Sequence, residues 1–264
     1  MKIFPRLFLT LYCLGLFTPI AQASDFLSKV SFSGFGTLGG IGTDTDVIGY
    51  YRNTAQKKAV DKSWGATTDS RLGLQLDIAF NQQFHFTTQW VARDHVGHFF
   101  EQNLELAFIR WSPRSDIDIR IGRLNVDLFL LSDHQDIGYA YPWMRPPHEF
   151  YAYLPGSHFD GVDFSQHFRI GDSFLKLKIY AGNSHSALRE ATKTLNLPLV
   201  GGNISYNTGN WRAKINYTYL HILNEGVENI LDILNNPALN QIFPSLDQLS
   251  PQVATEDKNG HYLS

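Results

Sequence analysis

Charged side chains alternate with apolar ones in several stretches of this 264-residue chain. Arg71, Arg93, Arg120, Lys176, Lys178, Arg212 and Lys214 supply cations, while Asp77 and Asp118, joined by Glu105 and Asp163, supply the counter-charge. Groups of this kind, spread along a wall that faces water, act on ions through their field and make or break no bond. The cation excess implies a mild preference for anions. Mutual neutralisation that merely keeps the wall wet is an equal alternative.

Three other patterns point to less. His95 and His98, beside Asp94, have a spacing that could hold a metal on a helix, but they fall in a polar loop, where solvation is commoner, and no metal is expected. Gly34-x-Gly36 and Gly39-Gly40 lie inside a strand and open no helix, which argues against a phosphate loop. No Ser, His and Asp grouping stands at a nucleophile turn, so neither a catalytic residue nor a cofactor is expected.

The elements that position the charges have period two. In 70–80, Leu72, Leu74, Leu76, Ile78 and Phe80 oppose Arg71, Gly73, Gln75, Asp77 and Ala79. After Asn81-Gln82-Gln83, the residues Phe84, Phe86, Thr88, Trp90 and Ala92 oppose His85, Thr87, Gln89 and Arg93. The division recurs at Ile117–Ile121, at Leu175–Ala181 and at Trp211–Tyr219. Weaker strands fit Val30–Gly39, Leu104–Trp111, Phe159–Phe168 and Leu199–Asn207, making nine complete strands. In 104–111 the outward face is ambiguous, because Arg110 shares a face with Leu106 and Phe108.

Residues 1–23 read as an export leader: Lys2 and Arg6 precede the apolar run Leu7–Ile20, and Ala21-Gln22-Ala23 marks cleavage before Ser24. The run is short for a membrane helix and Pro19 interrupts it. Cys13 lies within the leader, so the mature part, 24–264, has no disulfide and no thiolate ligand. It carries 20 basic against 25 acidic residues, a net charge of −5, which does not fit a nucleic-acid partner.

Alternation alone also suits a secreted sandwich. The connections separate the two. Links 81–83, 112–116, 169–172 and 208–210 are tight, whereas 40–69, 94–103, 124–158, 183–198 and 221–259 are long, and the two kinds alternate. A transmembrane antiparallel up-and-down β-barrel has this arrangement, with short periplasmic turns at one rim and long external loops at the other. Strands of about ten residues, tilted about 45°, project onto roughly 23 Å, close to the apolar band of an outer membrane. Phe80, Phe84, Trp111 and Trp211 beside the tight turns would belong to a periplasmic aromatic girdle. Residues 258–264 read as the start of a tenth strand, so the barrel is expected to be incomplete, an N-terminal part unable to insert alone.

Ser33-Gly34-Phe35-Gly36-Thr37-Leu38-Gly39 resembles the first strand of many proteobacterial porins. Ile121-Gly122-Arg123, followed by Asp136-Ile137-Gly138-Tyr139-Ala140-Tyr141-Pro142-Trp143-Met144-Arg145-Pro146-Pro147, resembles a porin-like family found there. The similarity covers most of the mature chain, and the second segment is the more specific. The resemblance implies an all-β general porin fold of about sixteen strands, an outer-membrane location, trimers, contact with lipid, and passage of small hydrophilic solutes or ions.

It also implies that the connection after the fifth strand, 124–158, folds inward and narrows a pore. Tyr139, Tyr141, Trp143 and Tyr151 would then supply aromatic walls and Arg145 and Glu149 charge, while Arg123 joins the pore-lining residues. An external loop over the rim is the plainer alternative. In 221–259, Val227, Ile230, Leu231 and Leu234 have helical spacing, and Asn236-Pro237 opens a second short helix. Two other classes remain: a barrel-based outer-membrane enzyme, which would need a Ser and a His on one rim, and a secreted β-rich binding module.

Overall fold

The computed structural model describes residues 28–45, 49–61, 64–96, 99–143, 145–151, 157–187, 194–223 and 257–264, with scattered positions between 231 and 254. The leader with its cleavage site, His98, Met144, Val227 and Ile230 lie outside the described residues. Strands β1 (Val30–Thr37), β2 (Arg71–Ala79), β3 (Phe84–Ala92), β4 (Leu104–Arg114) and β5 (Ile117–Asn125) are followed by β6 (His158–Ile170), β7 (Ser173–Ser186), β8 (Leu195–Thr208), β9 (Trp211–Ile222) and β10 (Lys258–Leu263). They form one antiparallel ten-stranded sheet in which each strand pairs with its neighbours in chain order. A two-residue ladder, Ile41–Gly42 against Trp64–Gly65, stands apart from it. Among the described residues β1 and β10 are the edges and do not pair with each other.

The two faces of the sheet differ in polarity, as a period of two requires. One face is bare and apolar: Ile121, Ile179 and Ile215 are 62%, 63% and 64% exposed. The other is covered and polar, with Asp163, Lys178, Asn216 and Thr218 buried. Its cover is the connection between β5 and β6. Val126 and Leu128 from that segment pack with Phe108, Leu124, Phe159, Tyr180, Leu197 and Leu220 from the strands.

The same segment touches both sheet edges. The Ser264 hydroxyl, just past β10, donates to the Leu128 carbonyl at 2.6 Å, and Gly138 lies against Thr37 at the end of β1. A flat ten-stranded sheet would set those edges about 43 Å apart. Ten residues containing a 3-10 turn reach only about 30 Å. The sheet therefore curls around the segment.

The fourth strand resolves in favour of Ala107, Ile109 and Trp111 on the bare face. Gln89 pairs with Leu106 but Trp90 with Leu104, so Glu105 is an inserted bulge residue. The bulge turns both Glu105 and Leu106 toward the covered side and breaks the simple alternation. β8 starts earlier than Leu199 because Pro198 pairs with Asn183 of β7, while the β9 ladder begins only at Leu199. The missing proline N–H thus costs no bond. The tight turn 112–116 narrows to Ser115-Asp116, since β4 continues through a second irregularity to Arg114.

Gly122 in β5 has φ +130°, and a Cβ there would stand 2.3 Å from the Ala107 carbonyl oxygen. Gly122→Ala should therefore lower unfolding stability by about 2 kcal/mol, read from urea titration of the folded chain in detergent. An unchanged midpoint would show that this backbone relaxes freely.

Candidate functional site

Two carboxylates hold the covering segment to the sheet, one on each side. Asp136 accepts from Arg71 at the start of β2 and from Arg93 just past β3, both at 2.6 Å. Arg93 also pairs with Glu105, the bulge residue. Its side chain is thus fixed by acids from two directions. Asp127 accepts from Lys178 of β7 at 2.8 Å, from Asn203 of β8 at 3.2 Å and from Lys214 of β9. Burial alone would raise the Asp127 carboxyl, but Lys178 and Lys214 outweigh it and hold the group below the usual carboxylate range.

Between the two clamps the segment makes one 3-10 turn, Ser132–His134, and a second, Gly138–Ala140, follows Asp136. Local bonds stiffen it: Asn125 donates to the Ser132 carbonyl, and the Leu131 N–H donates to the Tyr151 hydroxyl. Phe129 packs edge-on against Phe150 and Tyr151, with centroids 5.6 and 5.3 Å away. A cavity of about 270 Å³ remains beneath, bounded by Gln75, Asp77, Thr87, Arg120, Asp133 and Asp136 among others. Its wall is polar and hydrogen-bonded, since Asp77 accepts from Gln75 and Thr87.

Comparison with known proteins adds little to this geometry. No family model matches the chain. No curated protein matches either. Among solved structures it is similar to Salmonella typhi OmpF in complex with daunomycin, at 10% identity and a TM-score of 0.28, over 74% of this chain and 66% of that one. The chain thus spans less than two thirds of that protein's length. A likeness this slight decides neither activity nor solute.

Of the residues singled out in the sequence, Arg71, Asp77, Arg93, Arg120, Lys176, Lys178, Arg212 and Lys214 all fall on the covered face or at its margin. Their charges are largely matched there. Arg120 is bidentate to Asp163 and lies 5.1 Å over the Phe108 ring. Arg212 sits exposed beside a tight turn, and Lys176 has no ion pair among the described residues. Asp118 accepts from Ser112 and approaches His167 at 3.2 Å.

Arg123 departs from the expected placement. It pairs with Ala107 and Asp160 in the ladders, on the bare side, and there it is bidentate to Asp160 at 2.9 and 3.0 Å. The reason is parity: Arg123 is two residues beyond Ile121 and shares its face. Tyr139, Trp143 and Glu149 are exposed on the segment. Arg145 instead reaches another connection, where it donates to the Tyr50 hydroxyl and lies 3.4 Å from Asp69. Asp69 also holds Arg52 at 2.6 Å.

The clamping role of Asp127 and Asp136 and the Arg52–Asp69–Arg145 junction carried no local signal in the sequence. The clamp partners lie 43 to 87 residues away. Among the described residues one Ser and His pair stands close to an acid. Ser157 Oγ lies 3.3 Å from His158 Nδ1, and Glu105 lies 3.9 Å from that same nitrogen. A nucleophile, base and acid relay needs its two partners on opposite ring nitrogens. Among the described residues no group of His, Cys, Asp and Glu could hold a metal ion.

Proposed function

We propose that this chain forms wall and inner loop of an outer-membrane β-barrel channel, exported by its leader, through which small hydrophilic solutes or ions pass with weak selectivity. One observation carries the reading: the sheet is inverted relative to a soluble domain, with large aliphatic side chains bare on one face and ion pairs buried on the other. Lipid is the solvent that makes such a face favourable, and a polar face under an inward-folded segment suits a wet passage. The segment 124–158 would be its constriction. Trimers, as the porin resemblance implies, belong to the same reading, and no bond-making step does.

Aromatic side chains support it at both strand ends. Phe84 and Trp111 stack with centroids 6.1 Å apart beside the tight turns. Trp90, Phe99 and Phe100 cluster at the opposite end, where Phe99 and Phe100 are exposed. Two such bands are what the two membrane interfaces favour.

The test is conductance across planar lipid bilayers, for this chain and for any continuation of its reading frame. Discrete steps are expected from a closed barrel built with this chain. Lys176→Glu on the covered face should shift the reversal potential toward cations, and Arg123→Gln on the bare face should leave it unchanged. Absence of steps from folded protein would remove the channel reading, and a shift from Arg123→Gln alone would overturn the assignment of the faces.

A further inference from the structure

The bare face is not uniform. Across β4, β5 and β6 it holds an open trough of about 670 Å³, walled by Leu104, Ala107, Ile121 and Val162 and bounded toward the rim by Arg123 and Asp160. Small residues open it. Ala107 stands opposite Arg123 in one ladder, and Gly122 stands opposite Gly161 in the next. The Arg123 guanidinium is committed elsewhere: it is bidentate to Asp160 and donates to the carbonyls of Glu101 and Leu104.

Those two carbonyls belong to the short helix Phe99–Asn103 and to the first residue of β4. Arg123 therefore ties the helix beside the trough. Phe99 and Phe100 of that helix are exposed and pack on Trp90, which pairs with Leu104. The trough thus has an aromatic lip and an ion pair at its rim end and only aliphatic side chains below. The ion pair has no net charge to offer, since each of its members is matched by the other.

Two features name the occupant. The trough opens onto the bare aliphatic face, so what fills it is apolar. Its polar end lies at the aromatic band, the level at which the headgroup of an amphiphile sits in a membrane. We propose that this trough binds one acyl chain of a membrane lipid, the headgroup lying over the Arg123–Asp160 pair and the Phe99–Phe100 lip. The site rests on the reading of the bare face as lipid-facing and deepens it, because one lipid is held rather than merely touched. Its volume is within the range of about 300–1,000 Å³ usual for small-molecule sites. With a neutral rim, affinity comes from the chain and not from the headgroup charge.

Native mass spectrometry of the full chain, folded in detergent micelles, tests it with dioleoyl phosphatidylcholine, dioleoyl phosphatidylglycerol and the chainless glycerophosphocholine. One lipid retained per chain is expected, saturating as lipid is added and similar for the two headgroups, with no retention of glycerophosphocholine. Ala107→Leu fills the trough and should weaken retention about tenfold. Ile215→Ala, on the bare face outside the trough, should leave it unchanged. If Ala107→Leu does not fold, Ile121→Ala removes one wall and should weaken retention several-fold.

No retained lipid, retention that never saturates, or unchanged retention in a folded trough variant would overturn the site. A lipid-free pair of chains that Ala107→Leu separates would overturn it too, by placing a second copy in the trough. A tenfold preference for one headgroup would overturn the acyl chain as the determinant. Conductance without a retained lipid would sink the site and leave the channel. A retained lipid without conductance would leave the site and sink the channel.

Discussion

Asp127→Asn should cost about 3–5 kcal/mol of folded stability, the largest loss expected from a single substitution here. Among the described residues its carboxylate is the one acid placed against both Lys178 and Lys214, whose side chains are 2% and 10% exposed. Asparagine fits the same space and can still accept from Asn203, so shape is kept and only charge is lost. Two ammonium groups would then lie buried, with Asp163, already bidentate to Arg120, 3.8 Å from Lys178. Urea titration measures the loss directly. In a conducting barrel the same change should enlarge or destabilise the open level, because the segment would lose its ion pairs at that end and keep those at Asp136.

The pH dependence has a definite sign. Asp127 titrates below the usual carboxylate range in the folded chain, so its contribution is complete above about pH 4–5. It is lost as pH falls through the lowered folded value. Stability attributable to this clamp should therefore be flat between about pH 5 and 8 and fall only in stronger acid. Asp127→Asn should abolish that acid limb. A wild-type loss already complete at about pH 6 would rule out this carboxylate as its source.

Ile179→Arg gives the second large effect and separates a membrane wall from a soluble sheet. Ile179 lies at the middle of β7, 63% exposed on the bare face. In a bilayer an arginine at that depth costs about 2–4 kcal/mol. In water the same change replaces an exposed aliphatic side chain by a soluble one and should be neutral or helpful. Folding into lipid vesicles, followed by gel shift without boiling and by urea titration, distinguishes the two. Unimpaired folding into vesicles would contradict a lipid-facing β7.

How far the fold could be read depended on whether a strand kept its period. β2, β3, β5, β7 and β9 alternate without interruption, and their faces in the structure are those read from the residues. β4 was ambiguous because Arg110 shares a face with Leu106 and Phe108, and that mixed face is the covered one, where Phe108 and Leu106 pack with the inner segment. Arg123 was misplaced for the opposite reason: strict alternation puts it with Ile121, and only its place in a motif suggested otherwise. The basic residues of the wall were legible as a set. Their partners were not, because Asp127 and Asp136 sit in an aperiodic connection whose contacts are far away in sequence.

The two clamps differ in when they can form during synthesis and folding. Arg71 and Arg93 precede Asp136 in the chain, whereas Lys178, Asn203 and Lys214 all follow Asp127. Because each strand pairs with the one before it, a chain assembling from its N-terminus can seat the Asp136 end as soon as β5 is laid down. The Asp127 end must wait for four more strands, β6 to β9. The inner segment is thus hinged early and bolted late, and the late bolt reports that β7, β8 and β9 have reached their register.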